Sequence, residues 1–157
     1  MNVPFNTLAR ALLPALLVAS AASCASSPAQ DDSAKLALYR SHAGAPVPSF
    51  HFFGRLDSWT PLGDSAVAVW TRPNEAYLLT LFGPCNDLEF TPFIGLTSSV
   101  GTVSARFDKV LVRDTGSINM PCTIQQIQPL DVKALKQAER GEHDASKAPA
   151  ADQPSGT

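Results

Sequence analysis

The sequence is short of the residues that most enzymes use. Three histidines, His42, His51 and His143, and three cysteines, Cys24, Cys85 and Cys122, are spread through 157 residues. No Gly-x-Ser-x-Gly and no His-Glu-x-x-His occurs, so neither a hydrolase elbow nor a zinc-protease helix is present. No Cys-x-x-Cys occurs, which excludes a thioredoxin-type redox centre, and there is no glycine-rich phosphate loop. Charge is scarce as well: 12 Lys and Arg against 14 Asp and Glu give a net −2, and the basic residues are scattered. A nucleic-acid binder carries a basic face, so that class is excluded. No apolar run reaches the roughly 20 residues of a membrane helix. The residues imply no catalytic group, no cofactor and no metal site. What they establish is fold and location.

The N-terminus reads as an export signal. Arg10 precedes a twelve-residue apolar stretch, Ala11 to Ala22, that ends in small residues. This is the pattern of a secretory signal peptide over residues 1–23. Two cleavages fit. Ala21-Ala22-Ser23-Cys24 is similar to a bacterial lipobox, with Ala21 where Leu is usual; the Cys24 thiol would then carry a lipid that ties the chain to the membrane. Ordinary cleavage after Ala19-Ser20-Ala21 would leave Cys24 as a free thiol. An odd cysteine count in an exported chain is explained most simply if Cys24 has a job of its own and Cys85 pairs with Cys122. Residues 24–35 are small and polar, as in a flexible tether.

The centre of the folded part is the stretch from Ala66 to Cys85. Ala66-Val-Ala-Val-Trp-Thr71 and Ala76-Tyr-Leu-Leu-Thr-Leu-Phe82 have the length and composition of strands. Between them, Arg72-Pro-Asn-Glu75 suits a type I turn with Pro73 and Asn74 at its centre. The second run is apolar on both faces, which places it in the middle of a fold. A short helix is expected from a cap at Asp32 or Ser33 to about Ala43. Pro46 and Pro48 force an extended path, and Ser49 to Phe53 can form an edge strand with His51 turned to solvent. Leu56 to Gly63 reads as turn-rich. Further strands are expected at Phe93 to Thr97, Val100 to Phe107, Lys109 to Arg113 and Cys122 to Ile127, with Asp114 to Ser117 a turn and Pro129 ending the sheet. Asp131 can cap a closing helix, Val132 to Arg140, with Gly141 just past it. Residues 141–157 have little to bury and read as a disordered tail. The fold class is mainly β: a single small antiparallel sheet, or a partly closed barrel, of five or six strands over residues 36–140 with a short helix at each end.

Few residues offer chemistry. Trp59 either plugs one end of the core or offers a stacking surface to a partner. Cys85 could be imagined as a nucleophile, but an export signal and one matching cysteine favour a disulfide. Asp57, Asp64 and Asp108 are the acids nearest to ordered segments; a paired-carboxylate site needs two of them within several Å. The reading that follows is an envelope-located binding module without catalysis, facing an unknown envelope protein. The alternatives are a small periplasmic hydrolase or ligand-binding enzyme with an unrecognised site, or an inhibitor of an envelope enzyme that presents the loop Asp114 to Asn119.

A resemblance covers nearly the whole folded part. Ala45-Pro-Val-Pro-Ser-Phe50, Trp59-x-x-Leu-Gly63, Val69-Trp70-Thr71, Ala76-Tyr-Leu-Leu79, Cys85-x-x-Leu88, Ile94-x-Leu-Thr97, Phe107-Asp108-x-Val110 and Pro121-Cys122-x-Ile-x-x-Ile127 resemble an uncharacterised family of small exported proteins. Its members are mainly proteobacterial and carry a domain of unknown function. The resemblance implies a two-cysteine domain, matched by Cys85 and Cys122, and frequent lipoprotein signals, matched in part at Cys24. It implies no catalytic residue.

Overall fold

The structure, a computed structural model, describes residues 28–113 and 120–147. The export signal, Cys24, the loop at 114–119 and the last ten residues lie outside the described residues. In chain order the elements are α1 (Pro28–Ser41), β1 (Ser49–His51), β2 (Ser58–Pro61), β3 (Ala66–Arg72), β4 (Glu75–Leu81), β5 (Phe93–Leu96), β6 (Thr102–Ser104), β7 (Lys109–Arg113), β8 (Met120–Leu130) and α2 (Val132–Lys147). Six strands form one antiparallel, nearly closed sheet in the order β2-β3-β4-β8-β7-β5, and β1 pairs with β6 in a separate ribbon.

The expected central hairpin is there. β3 and β4 are joined by Pro73 and Asn74, and Arg72 bonds Glu75 across the turn at 2.8 Å. The ladder shifts register between Trp70 and Arg72, just before the turn. Because side chains alternate along a strand, the hairpin builds two cores. Val67, Val69, Leu79 and Leu81 enter the larger one with Phe50, Phe52, Val103, Val110, Ile124 and Ile127. Ala66, Ala68, Ala76 and Leu78 face the other way and are covered by Tyr39 of α1 and by Val132 and Leu135 of α2.

Several element boundaries differ from the sequence expectation. α1 begins at Pro28, not at a cap on Asp32 or Ser33, so much of the stretch read as a tether is helical. Proline is tolerated in a first turn, and Asp31 complements the helix dipole there. The segment read as turn-rich contains β2, paired with β3 through Trp59↔Val69. Pro129 lies inside β8 opposite Tyr77. Its carbonyl accepts from Gly44 N–H at 2.8 Å, so its nitrogen also faces away from β4 and no ladder bond is lost. Asp131 caps α2 by accepting from Ala134 N–H at 3.0 Å, but the helix runs through Gly141 to Lys147. An interior glycine costs only about 1 kcal/mol, too little to stop it.

Cys85 and Cys122 form a disulfide, with Cα atoms 5.8 Å apart. It joins the start of the β4–β5 connection to the start of β8 and so fences in β5, β6 and β7. Closing a loop of this size contributes roughly 4 kcal/mol in the chain-entropy model. The double variant Cys85→Ala/Cys122→Ser is expected to lose about 2–4 kcal/mol in urea unfolding; a loss under about 1 kcal/mol would mean that the strand ladder alone fixes this excursion.

Candidate functional site

β8 is the longest strand because it changes partners. Residues 120–123 pair with β7, and from Ile124 onward the strand pairs with β4. Beyond Thr123 its other edge is taken up piecemeal. Arg106 N–H donates to Ile124 O at 2.6 Å, Val47 N–H to Ile127 O at 2.9 Å, and Gly44 N–H to Pro129 O. Ala105 N–H closes the figure on Pro48 O at 2.9 Å. Between these three backbone segments lies a groove of about 700 Å³. Pro46 to Ser49 form one wall, Ser104 to Phe107 another, and Gln125, Gln126 and Ile127 the floor side. It lies beside the middle of β8, at the register of Leu79 to Leu81 on β4.

The residue that shapes the groove is Asp108. It is buried, and both carboxylate oxygens accept: Oδ1 from the Thr97 hydroxyl and Oδ2 from Ser104 N–H, each at 2.7 Å. Thr97 Oγ1 in turn accepts from Lys109 N–H at 2.9 Å. With the acid tied inward, the preceding two residues are turned out. Arg106 sits at φ 70°, in the left-handed region that few residues other than glycine adopt. Phe107 is 81% exposed. Arg106 has no ion-pair partner among the described residues. The loop thus shows a cation and a phenyl ring to the groove and hides its carboxylate. Asp108 thus sits between β6 and β7 and holds the backbone of Ser104.

Arg106, Phe107 and the two glutamines were not singled out from the sequence. Val100 to Phe107 alternates like a strand, and the expectation of one there is corrected by the structure: only Thr102–Ser104 is extended, and it pairs with β1 outside the main sheet. The signal that was present was Phe-Asp next to a run of alternating residues, where a strand would have no use for the acid.

The other candidates are dispersed. Trp59 is half-buried on the edge strand β2, packed on the larger core. Asp57 and Asp64 are exposed and lie before and after β2, at opposite ends of the sheet, and neither meets Asp108. His51 is exposed between buried Phe50 and Phe52. Among the described residues no three His, Cys, Asp or Glu gather as metal ligands, and no helix is long and apolar enough to cross a membrane. The loop proposed for an inhibitor, 114–119, is outside the described residues.

Two tyrosines carry shifted pKa values, and neither lines the groove. Tyr39 is pushed up by burial and by its bond to Glu139 at 2.7 Å. Tyr77 is pushed from 10.0 up to about 12, first by burial, then by its hydrogen bond to Glu75 and that carboxylate's charge. It also stacks on Phe50 with centroids 4.3 Å apart. These tyrosines hold the sheet to its covering layers.

The chain matches the family of unknown function DUF6491 over residues 7–146. It belongs to that family. Neither a curated protein nor a solved structure matches it. In this DUF6491 chain the matched region takes in the hairpin, both cores, the bridge and the groove.

Two outcomes follow. Asp108→Ala strips the Thr97 hydroxyl and the Ser104 N–H of their acceptor and is expected to cost about 2–3 kcal/mol, with a larger fractional gain in amide exchange at residues 104–108 than elsewhere. Uniform exchange across the sheet would contradict the loop-shaping role. For the tyrosines, the folded state keeps the Tyr77 proton that the unfolded chain gives up near pH 10.0. The stabilisation is therefore whole below that pH and is lost as pH rises towards about 12. Urea midpoints should fall over that window, and fall less steeply in Tyr77→Phe; equal slopes would show that Tyr77 is not linked to folding.

Proposed function

We propose that this DUF6491 protein is a binding module of a bacterial cell envelope, exported by its N-terminal segment, tied to the membrane by a lipid on Cys24, and active through contact and not through catalysis. The observation that carries the reading is the groove between Pro46, Phe107 and Gln125, whose one ionisable side chain is Arg106. A hydrolase needs a nucleophile or an acid–base pair with matched pKa values. The groove offers an arginine, amides, hydroxyls and an aromatic ring, which are groups that recognise. Support for export comes from the apolar stretch at residues 11–22, which the family match includes, and from the disulfide, a bond that persists in oxidising compartments. A tether of three residues between Cys24 and Pro28 would hold the start of α1 close to the membrane.

Two measurements test this reading. Mass spectrometry of the mature chain should find an acylated N-terminal Cys24; an unmodified N-terminus after Ala21 removes the anchor. For the contact, a photoreactive phenylalanine analogue is placed at Phe107 and, as a control, at Lys133 on the exposed face of α2. The expected result is a discrete envelope adduct from position 107 alone, reduced at least about tenfold by Arg106→Glu. Equal labelling from both positions, or none from 107, would rule the groove out as a contact site.

A further inference from the structure

The charge of the groove is one-sided. Arg106 is the one ionisable side chain among its lining residues. Asp108, two residues on, is buried with both carboxylate oxygens engaged. Phe107, beside Arg106, shows its ring to solvent.

We infer that the groove takes an extended, acidic segment of another polypeptide. A carboxylate pairs with Arg106, an apolar side chain lies against Phe107, and the side-chain amides of Gln125 and Gln126 meet the segment's backbone. This deepens the binding reading above and rests on it. Arg106 is the cation of the groove and has no ion-pair partner among the described residues. A planar guanidinium suits a carboxylate in two-point contact. A polypeptide fits better than a lipid surface, because the site is a concave slot between three chain segments. It fits better than a nucleic acid, which needs a stripe of cations to neutralise its repeated phosphates.

The test uses the full mature chain and two short fluorescent peptides, one of alternating Glu and Phe, the other with Gln in place of Glu. Anisotropy should show the Glu peptide binding at least about tenfold tighter, with the advantage shrinking as salt rises. Arg106→Glu should abolish that preference. So should Arg106→Gly, a variant whose backbone suits φ 70° and which therefore keeps its fold. Arg140→Glu, on α2, should leave it within about twofold. Equal binding of the two peptides overturns the inference, as does a preference that survives both Arg106 variants, or binding to phosphatidylglycerol vesicles without binding to the Glu peptide. If Phe107 still captures a partner while the peptides bind equally, the groove is a contact site and only the acidic chemistry is wrong. If neither is seen, both readings fall.

Discussion

β4 has no face to give to water. Its alternate residues, Tyr77, Leu79 and Leu81 on one side and Ala76 and Leu78 on the other, are buried or half-buried in opposite directions. A sheet built on such a strand must be covered twice. One cover is helical, and the side chains beneath it are small: Ala66, Ala68 and Ala76 let α1 and α2 come close. Tyr39 then meets Trp70 edge-on at 6.2 Å and reaches Glu139 of the second helix, so one residue ties both helices to the sheet. The other cover is the sheet itself, curled towards closure, with the β1–β6 ribbon supplying Phe50, Phe52 and Val103. The groove is a by-product of this second cover. It opens where the ribbon parts from β8 and the curling strands cannot fill the gap.

The bridge and the strained turns belong together. Three non-glycine residues have positive φ among those described, Asp87 at 63°, Val100 at 50° and Arg106 at 70°. All three lie between Cys85 and Cys122. Left-handed conformations cost L-residues about 1–2 kcal/mol each, most for a β-branched side chain such as Val100. Roughly 3–6 kcal/mol of backbone strain is thus confined to a loop whose closure contributes roughly 4 kcal/mol. The disulfide makes tolerable an excursion that holds two short strands, tight turns and the groove's cation.

What could be read from the sequence was what hydrophobic alternation and turn chemistry encode directly. The β3–β4 hairpin, β5, β7, the cap at Asp131 and the pairing of the two inner cysteines follow from composition and parity, and the structure contains them. Boundaries set by tertiary contact could not be read. Pro129 looks like a terminus until Gly44 is placed beside it, because only then is it clear that its nitrogen had no ladder partner to lose. Gly141 looks like a helix stop, but its cost is small. The groove was hidden for a related reason. Residues 100–107 carry the period of a strand, and nothing local says that Asp108 will turn back to Ser104 and Thr97 and break it.

That turn also bears on why an arginine stands at 106. The backbone there would be less strained with glycine, and the turn is already held by Asp108, by Arg106 N–H on Ile124 and by Asp108 N–H on Ser104 O at 2.9 Å. The guanidinium therefore adds nothing to folding that glycine would not supply more cheaply. It has no ion-pair partner among the described residues, and it lines the groove beside an exposed phenyl ring. A side chain kept where the backbone disfavours it, and unused by the fold, is best understood by what approaches from outside. That reasoning runs from an observed conformational outlier to a contact, and it makes Arg106 the residue on which a functional account of this family member turns.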